Sequence, residues 1–478
     1  MIRIVSLLRL GLGFTALVAL APGARAATRC AGGAIETRHS AVISGKRVAY
    51  TACTGTLTVR DPVSQAQGRI FYTAYFAGSG KTRPLTFLWN GGPGADSRLL
   101  HFHALGPRVV SNGALADNEA SPLTASDLVF VDPIGTGFSH ADTPEQAKHF
   151  YGTRADIAAA TRFVSQFRAV YRRVDTPLYL AGESFGTWRA AGVAEALVDA
   201  GATVAGMALI SGGIPLGEVP DRTLGRALSI DSRVATAHAL NRLSPRLQAD
   251  REATLAEANR WALRDYLPAL ADPKAMSPER RTAVIAALAA FHGLDPKVID
   301  PSTLWISPKQ FRGALLEHEG KVLDVFDMRR TTPDVERAEE GKLVLAYYRK
   351  TLGYHDGKYA GIEAPASNAG NAWHYDQAPI TKESLARAIA GEGPPSPSQP
   401  WTLRAMQKAP RLRTWVAAGL YDSLNSCAGN QATVAALPKA IAARFVLRCY
   451  AGGHMMYEDP AEAVRFGKEF AAFVAAAA

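Results

Sequence analysis

The sequence predicts an α/β fold: a mostly parallel central sheet with helices on both faces and an inserted helical cap. Apolar runs at residues 84–89, 127–131 and 178–181 are typical of strands that are buried on both faces. They alternate with helical patterns, as parallel β-α-β units do. Between about residues 214 and 400 the pattern becomes almost wholly helical, and strand patterns return after residue 400. The insertion therefore divides one sheet.

The first residues of the chain resemble an export signal. Arg3 and Arg9 precede an apolar run over residues 10–21, and the small-residue sequence Ala-Arg-Ala ends at Ala26. We predict that residues 1–26 form a signal peptide and that the mature protein is periplasmic or secreted. A membrane anchor is the alternative, but about a dozen apolar residues fall short of the ~20 that a spanning helix needs, so no stable anchor is expected.

The charge balance is basic but dispersed. The formal net charge is +10, and loss of the three arginines of the signal segment lowers it to +7. Lysines and arginines are scattered among acidic residues without a dense basic tract, so a solvated surface is favoured over a nucleic-acid partner.

Four cysteines in an exported chain indicate two disulfides. Three connectivities are possible, and we predict Cys30 with Cys53 and Cys427 with Cys449, because each pair is only about two dozen residues apart. Free buried thiols are the alternative.

The N-terminal part of the core begins with β-rich patterns. Residues 42–50, 56–60 and 69–76 are separated by turn residues, which predicts an antiparallel entry into the sheet. The amphipathic pattern of residues 156–171 then predicts a helix that leads to the strand at residues 178–181.

The remaining elements complete the division into domains. A helix to Leu197 and a strand at residues 206–210 close the first core part, residues 27–213. The cap, residues 214–400, ends in a proline-rich connector. The second core part, residues 401–478, contains two strands and a closing helix. Three aromatic residues of the cap could line a cleft or fill its own core: Trp305, Trp373 and Tyr375.

Gly182-Glu-Ser-Phe-Gly186 joins a buried strand to a helix. Such a sharp turn strains its central residue and requires small neighbours, so the two glycines favour Ser184 as an exposed nucleophile. The Phe185 N–H would lie at a helix N-terminus, where it can stabilise an oxyanion. A glycine-rich turn with an inert serine is the alternative, because the motif alone is weak.

Asn90-Gly-Gly-Pro-Gly94 follows the strand at residues 84–89. Glycines let the backbone approach a ligand closely, so the Gly92 N–H is a candidate second oxyanion donor. Gly135-Thr-Gly137 lacks the third glycine and the following helix of a nucleotide-binding loop. We therefore predict no nucleotide cofactor.

Asp422 and His454 each follow a predicted strand. With Ser184 they occur in the order Ser, Asp, His, which is the α/β-hydrolase order, and parallel strands would bring all three to one sheet edge. A nucleophilic serine needs a basic histidine, and the histidine needs a carboxylate that orients it. Separately, the aspartate could cap a loop and the histidine could be structural.

Several segments together resemble the serine carboxypeptidases from about residue 40 to the C-terminus. The resemblance rests on five motifs: Trp89-Asn-Gly-Gly-Pro-Gly94, Asp132-Pro-Ile-Gly-Thr-Gly-Phe-Ser139, Gly182-Glu-Ser-Phe-Gly186, Asp422 through Gly429-Asn430, and Gly452-Gly-His-Met455. It implies that Asn90 and Glu183 bind the terminal carboxylate of a peptide and that Gly92 supplies an oxyanion N–H. Glu183 would then have to be protonated, which implies binding that weakens as pH rises.

Two positions depart from the family pattern. A second glutamate, expected shortly before Gly106, is replaced by Ala104, and whether His103 compensates is open. The family's tryptophan usually lies two residues before the asparagine, where this chain has Leu88, with Trp89 next to it. One position along a strand reverses the face, so the wall of the site should differ.

The sequence thus predicts an exported serine-type carboxypeptidase that acts on peptides with a free C-terminus through an acyl-enzyme, without metal or cofactor. His101 and His103 could suggest a metal pair, but no further ligands are evident nearby. An esterase or acyltransferase on the same scaffold is the alternative. A catalytically silent binding protein is a third hypothesis. The sequence does not predict an oligomeric state.

Overall fold

The computed structural model describes residues 30–78, 82–219, 221–331 and 337–476. The predicted signal peptide, residues 1–26, lies outside these described residues. The strands are β1 (Ile35–Ile43), β2 (Lys46–Arg60), β3 (Gln67–Ala77), β4 (Leu85–Trp89), β5 (Arg108–Ser111), β6 (Ala114–Asp117), β7 (Asp127–Val131), β8 (His140–Ala141), β9 (Leu178–Glu183), β10 (Val204–Ile210), β11 (Arg413–Gly419) and β12 (Phe445–Tyr450).

The main sheet has the strand order β1-β2-β3-β7-β4-β9-β10-β11-β12, with β8 paired to β3. The pairs from β7 to β12 along this order are parallel, whereas β1, β2, β3 and β7 pair in antiparallel fashion. The predicted fold class is confirmed. Because β4, β9, β10, β11 and β12 all run in one direction, their carboxyl ends lie at one edge of the sheet.

The antiparallel entry differs from the prediction in its boundaries. Residues 42–50 are not one strand, because a turn at Ser44 and Gly45 separates β1 from β2. Both turn residues have positive φ, 50° and 71°, which is the geometry of a tight hairpin. The strand signal of residues 56–60 belongs to the second half of the 15-residue β2.

The α-helices are α1 (Pro144–Ala147), α2 (Thr153–Val170), α3 (Gly186–Asp199), α4 (Thr223–Leu228), α5 (Ile230–Ala239), α6 (Pro245–Gln248), α7 (Arg251–Trp261), α8 (Leu267–Ala271), α9 (Pro278–His292), α10 (Pro308–Ala314), α11 (Arg337–Ala346), α12 (Lys382–Ile389), α13 (Trp401–Lys408), α14 (Cys427–Ala435), α15 (Lys439–Ala442) and α16 (Pro460–Ala475). Short π-helical turns lie at Leu100–Leu105, Ala262–Tyr266 and Tyr347–Thr351, and 3₁₀ turns at Pro122–Thr124, Lys148–Phe150, Pro273–Ala275, Pro296–Val298, Glu317–Glu319 and Met456–Glu458.

The two faces of the sheet carry separate apolar cores. Helices α2, α3 and α13 pack on one face, and α16 together with α11 contributes to the core on the other. Successive side chains of a strand point to opposite faces, so buried strands such as β4 and β9 contribute to both cores.

Helices α4 to α12 lie between β10 and β11, where the cap is predicted. Part of this segment has its own apolar cluster, built mainly from α8, α9, α10 and the chain that links them. The bounds of the cap, residues 214–400, remain a prediction.

Both predicted disulfides are present, Cys30–Cys53 and Cys427–Cys449. The first ties the segment before β1 to β2, and the second ties the start of α14 to β12. Within the part of the chain that the structure describes, no helix has both the length and the apolar character needed to cross a membrane.

Candidate active site

Ser184 lies in a strained turn between β9 and α3. Its φ is 56°, a left-handed conformation that is costly for a non-glycine residue, and its N–H donates to the Ile210 carbonyl at 2.8 Å. A side chain at Gly182 would overlap the Gly186 carbonyl, so the turn closes only because residue 182 is glycine. A Cβ atom at Gly186 would lie 3.0 Å from the Trp89 carbonyl, a tight contact with the preceding loop. Phe185 is the N-cap of α3, as the motif predicts.

The Asn90 loop packs directly on this turn. A Cβ atom at Gly91 would lie 2.5 Å from the Phe185 nitrogen, so a side chain at Gly91 has no space. Gly92 has φ 98° and precedes Pro93 through a cis peptide bond. The two candidate oxyanion residues, Gly92 and Phe185, therefore belong to adjoining backbone segments.

His454 and Asp422 form a buried pair. The histidine Nδ1 lies 2.8 Å from Asp422 Oδ2, and the side chains are 3% and 0% exposed. Asp422 also accepts hydrogen bonds from the Leu424 N–H and the Asn425 amide, each at 2.8 Å. The His454 N–H donates to the Phe326 carbonyl at 2.6 Å. This network holds the imidazole in one orientation.

The same network includes Ser211, the residue after β10, and the preceding Ile210 carbonyl accepts from the Ser184 N–H. The Ser211 hydroxyl donates to the His454 carbonyl, and its carbonyl accepts from Asn425. His454 Nε2 is buried and forms no hydrogen bond within the described residues, including none to Ser184. The structure therefore places an unoccupied imidazole nitrogen at the sheet edge that carries the serine.

Glu183, one residue before the serine, is buried and 3% exposed. Burial raises its pKa to about 7, although the nearby His454, the Tyr457 hydroxyl that donates to it and the adjacent Asn90 amide oppose this shift. A carboxyl group with this pKa is largely protonated in mildly acidic solution and can then donate a hydrogen bond.

His454 and Glu183 influence each other. Burial lowers the His454 pKa, but the Asp422 carboxylate and Glu183 raise it by more, so the net pKa is above the usual value. Because the two groups are coupled, ionisation of Glu183 favours the protonated imidazole. A neutral imidazole is therefore best supported when Glu183 keeps its proton.

Asn90 lies beside Glu183 and is 1% exposed. Its Oδ1 accepts from the Leu100 N–H at 3.0 Å, which fixes the orientation of the amide. Its Nδ2 is buried and has no partner within hydrogen-bond distance in the described chain. A buried donor without a partner is costly and marks a place where a ligand oxygen would be stabilised.

The sequence did not predict two supporting contacts. The Tyr457 hydroxyl donates to Glu183 Oε2. Arg189, fully buried on α3, donates to the Asn90 carbonyl at 2.8 Å and pairs with Asp156 at 2.7 Å. No local motif marks these residues, although a tyrosine three positions after the candidate histidine and a charge inside an apolar helix face were visible signals.

Two aromatic residues predicted to lie in the cap meet the serine turn. The Phe185 ring contacts Trp373 at a centroid distance of 5.1 Å and Tyr375 at 6.3 Å, both edge-to-face. The inserted segment therefore forms part of the wall next to the candidate nucleophile.

The departures from the family pattern have structural counterparts. His103, next to Ala104, pairs with Glu340 of α11 at 3.4 Å. Leu88 and Trp89 lie in different apolar cores, so the tryptophan packs on the face opposite to that of its predecessor.

His101 is a buried structural histidine. Its Nε2 lies 2.7 Å from the Tyr75 hydroxyl and its Nδ1 lies 3.2 Å from the Tyr348 hydroxyl. Across the described ranges, no group of three or more His, Cys, Asp or Glu side chains has a metal-binding arrangement.

Comparison with known proteins confirms the predicted resemblance. Residues 45–209 match the family model described as serine carboxypeptidase. The pheromone-processing carboxypeptidase KEX1 of Metarhizium acridum is 32% identical over 139 residues, 28% of this chain and 22% of that protein. Serine carboxypeptidase-like 48 of Arabidopsis thaliana is 34% identical over 127 residues, which are 26% of this chain and 24% of that protein. These matches span less than a third of each relative.

The matched segment contains Asn90, Gly92, Glu183 and Ser184. Asp422 and His454 lie outside it, so the assignment of these two residues rests on sequence order and geometry. Among solved structures, a putative aryl esterase from Burkholderia cenocepacia is 14% identical with a TM-score of 0.37, covering 88% of this chain and 99% of that one. The peroxisomal alpha-beta-hydrolase Lpx1 of Saccharomyces cerevisiae is 9% identical with a TM-score of 0.34, covering 92% and 90%.

Proposed function

We propose that the protein is an exported serine-type carboxypeptidase that removes the C-terminal residue of peptides. One observation carries this proposal beyond a general serine hydrolase. A buried carboxyl group with a pKa of about 7, Glu183, and a buried amide donor without a partner, Asn90, lie directly beside Ser184. Together they form a site for a carboxylate.

In this proposal Ser184 attacks the carbonyl carbon of the last peptide bond. Its proton moves to His454 Nε2, the nitrogen without a partner, while the Asp422 carboxylate stabilises the imidazolium through Nδ1. The developing oxyanion accepts hydrogen bonds from the backbone N–H groups of Gly92 and Phe185. His454 then protonates the leaving amine, and an acyl-enzyme forms on Ser184.

Deacylation repeats these steps with water. His454 removes a proton from the water molecule, the hydroxide attacks the acyl carbon, and the proton returns to Ser184 as the ester bond breaks. The shortened peptide leaves with a new carboxylate, and the enzyme returns to its starting state.

Recognition of the substrate carboxylate depends on the proton of Glu183. With Oε2 already accepting from Tyr457, the proton is expected on Oε1 and available to the substrate. Asn90 Nδ2 supplies a second donor. An ionised Glu183 would instead repel the substrate carboxylate, so recognition weakens as pH rises through the pKa of this group.

Three further features belong to the same proposal. Export is supported by the two disulfides, which persist in oxidising compartments. The helical insertion acts as a cap whose Trp373 and Tyr375 border the substrate next to Phe185. No nucleic acid, cofactor or stable membrane anchor takes part.

The decisive experiment compares an N-blocked dipeptide that has a free C-terminus with its C-terminally amidated twin, between pH 4 and 8. We expect hydrolysis of the free acid at a kcat/KM at least tenfold above that of the amide, with loss of activity at high pH. Ser184→Ala is the control for background hydrolysis, and a fluorophosphonate probe should label wild type but not this variant.

Equal rates on the two substrates, or turnover of simple esters alone, would replace the proposal with an esterase or acyltransferase. Absence of both turnover and labelling would instead indicate a binding protein.

A further inference from the structure

A second, positively charged cavity lies between the helical insertion and the loop after β11. Its volume is about 490 Å³, within the range of small-molecule sites. Three arginines line it: Arg222 directly before α4, Arg226 of α4 and Arg233 of α5. Further lining comes from the loop from Ser423 to Ser426, which follows Asp422, and from the first turns of α14.

Arg233 is the central group of this cavity. It is 3% exposed, and no carboxylate among the described residues lies within ion-pair distance of it. Its Nη1 lies 3.4 Å from His292 Nε2, and its Nη2 has no hydrogen-bond partner in the described chain. Burial lowers the pKa of Arg233 to about 10, so the guanidinium stays charged at neutral pH.

The acidic groups that line the cavity neutralise the charges of its arginines only in part. Arg226 pairs with Glu392 at 3.1 Å, and Glu392 also accepts from Trp305 at 2.8 Å, so this carboxylate is already engaged. Arg222 has a buried Nε without a partner in the described residues. The remaining acidic group of the lining, Asp221, is exposed and accepts from the Thr223 N–H.

Glu392 and Asp231 attract the Arg233 charge without pairing with it directly, so they offset its desolvation penalty only in part. Arg233 is held in place by the Trp305 ring, 4.7 Å from its Cζ, which fixes the direction of its unpartnered nitrogen. Arg222 and Arg233 both line this cavity, and a planar guanidinium is a preferred partner of carboxylates and phosphates.

We propose that this cavity binds an oxyanion-bearing ligand, a carboxylate or a phosphate, between Arg222 and Arg233. The apolar part of the ligand packs against Trp305, Phe311 and Met328, which also line the cavity. None of the residues assigned to the carboxylate site beside Ser184 lines it.

A hydrogen bond links the lining of the cavity to the candidate active site. Asn425 lines it and donates to Asp422 Oδ2 at 2.8 Å, and Ser426 in the same loop accepts from the Gly429 N–H at 2.9 Å. Two sources of the anion fit this position. One is an acidic side chain of the peptide, an option that rests on the proposed function, and the other is a free anion.

The test measures binding without turnover. Isothermal titration calorimetry measures the binding of glutarate, inorganic phosphate and neutral glutaramide to the Ser184→Ala protein. The same measurements are made on Ser184→Ala proteins that carry one further change: Arg222→Gln, Arg233→Gln or Arg280→Gln. Arg280 is an exposed arginine of α9 outside the cavity and provides the matched control. Thermal unfolding of each variant checks the fold, and the half-buried Arg222 keeps the test decisive if Arg233→Gln fails to fold.

We expect one anion per chain, no binding of glutaramide, and affinity weakened by roughly tenfold or more in the Arg222 and Arg233 variants but unchanged in the Arg280 variant. Absence of anion binding, or equal affinity in all folded variants, would overturn the inference. Peptides with Glu or Gln upstream of the cleaved bond are then compared as substrates of the enzyme with an intact Ser184. A preference for Glu that is abolished by Arg222→Gln would identify the peptide as the source of the anion. Anion binding without such a preference would identify a free anion. Failure of the proposed peptidase activity would leave the calorimetric result intact.

Discussion

Replacing Glu183 with glutamine should abolish the alkaline loss of carboxypeptidase activity while preserving activity on free-acid substrates near pH 6. Glutamine has nearly the shape of a protonated glutamate and carries a permanent N–H donor. It therefore imitates the protonated form of Glu183 that the proposed carboxylate binding requires, and it cannot ionise.

The size of the effect follows from the pKa of about 7 that burial gives Glu183. With this value about half of the enzyme is protonated at pH 7 and about one hundredth at pH 9, so wild-type kcat/KM should fall roughly 50-fold over this interval. The variant should vary by less than about threefold over the same range.

The acidic side of the profile should move as well. The charge of Glu183 contributes to the raised pKa of His454, so its removal lowers that pKa. Since His454 must be neutral to accept the serine proton, the acidic limb of the variant should lie at lower pH than that of wild type.

The assay is kcat/KM on an N-blocked dipeptide with a free C-terminus, measured between pH 5 and 9 for wild type and Glu183→Gln. Glu252→Gln is the matched control, because Glu252 is 76% exposed and, among the described residues, its ion pair is with its neighbour Arg251. The amidated dipeptide should show no alkaline limb in either protein.

An unchanged alkaline limb in Glu183→Gln would refute the reasoning, since another group would then control it. Complete loss of activity at every pH, in a variant with wild-type thermal stability, would also contradict the assignment of a donor role to this residue.

The remaining predictions concern stability and the support of the site. Burial raises the pKa of Glu183 from 4.5 to about 7, so protonation of this group favours the folded state fully below pH 4.5, and this contribution is lost as pH rises through 7. In urea titrations, wild type should therefore lose about 3 kcal/mol of unfolding free energy relative to Glu183→Gln between pH 4.5 and 8. Parallel stability curves for the two proteins would contradict this. Tyr457→Phe removes a hydrogen bond that lowers the pKa of Glu183, so its alkaline limb should move to higher pH, and a move to lower pH would be inconsistent with the contact. Gly91→Ala should reduce kcat at least a hundredfold, because its Cβ meets the serine turn, whereas Gly213→Ala, where a Cβ has open space, should retain activity; similar rates for the two would count against the packing. Arg189→Ala leaves a buried carboxylate unpaired and should cost about 3–5 kcal/mol in urea unfolding, and a cost below about 1 kcal/mol would show that the pair is not stabilising.

Much of the sheet could be predicted because buried parallel strands have a local signature. The apolar runs that predict β4, β7 and β9 match the structure within about two residues, since burial on both faces demands continuous apolar side chains. The prediction for residues 42–50 was wrong because β-rich patterns continue through a hairpin turn, and Ser44 and Gly45 are only a weak turn signal.

The candidate catalytic residues could be proposed for a similar reason. Ser184 is flanked by glycines that the turn requires on steric grounds, and Asp422 and His454 follow strands whose ends must meet at one edge. The catalytic roles remain predictions, and the structure adds the hydrogen bond between His454 and Asp422.

The sequence by itself determined the order of the candidate catalytic residues and predicted the fold class, because strands buried on both faces have a local signature. It also favoured the observed disulfide pairs, because the two cysteines of each pair are near one another in the chain. Tertiary structure alone decided that Tyr457 bonds to Glu183, that Arg189 supports the Asn90 loop, and that arginines of α4 and α5 share a cavity with Trp305. These contacts join residues up to 274 positions apart. Their energies depend on desolvation and on the direction of hydrogen bonds, and both are set only when separate segments have packed together.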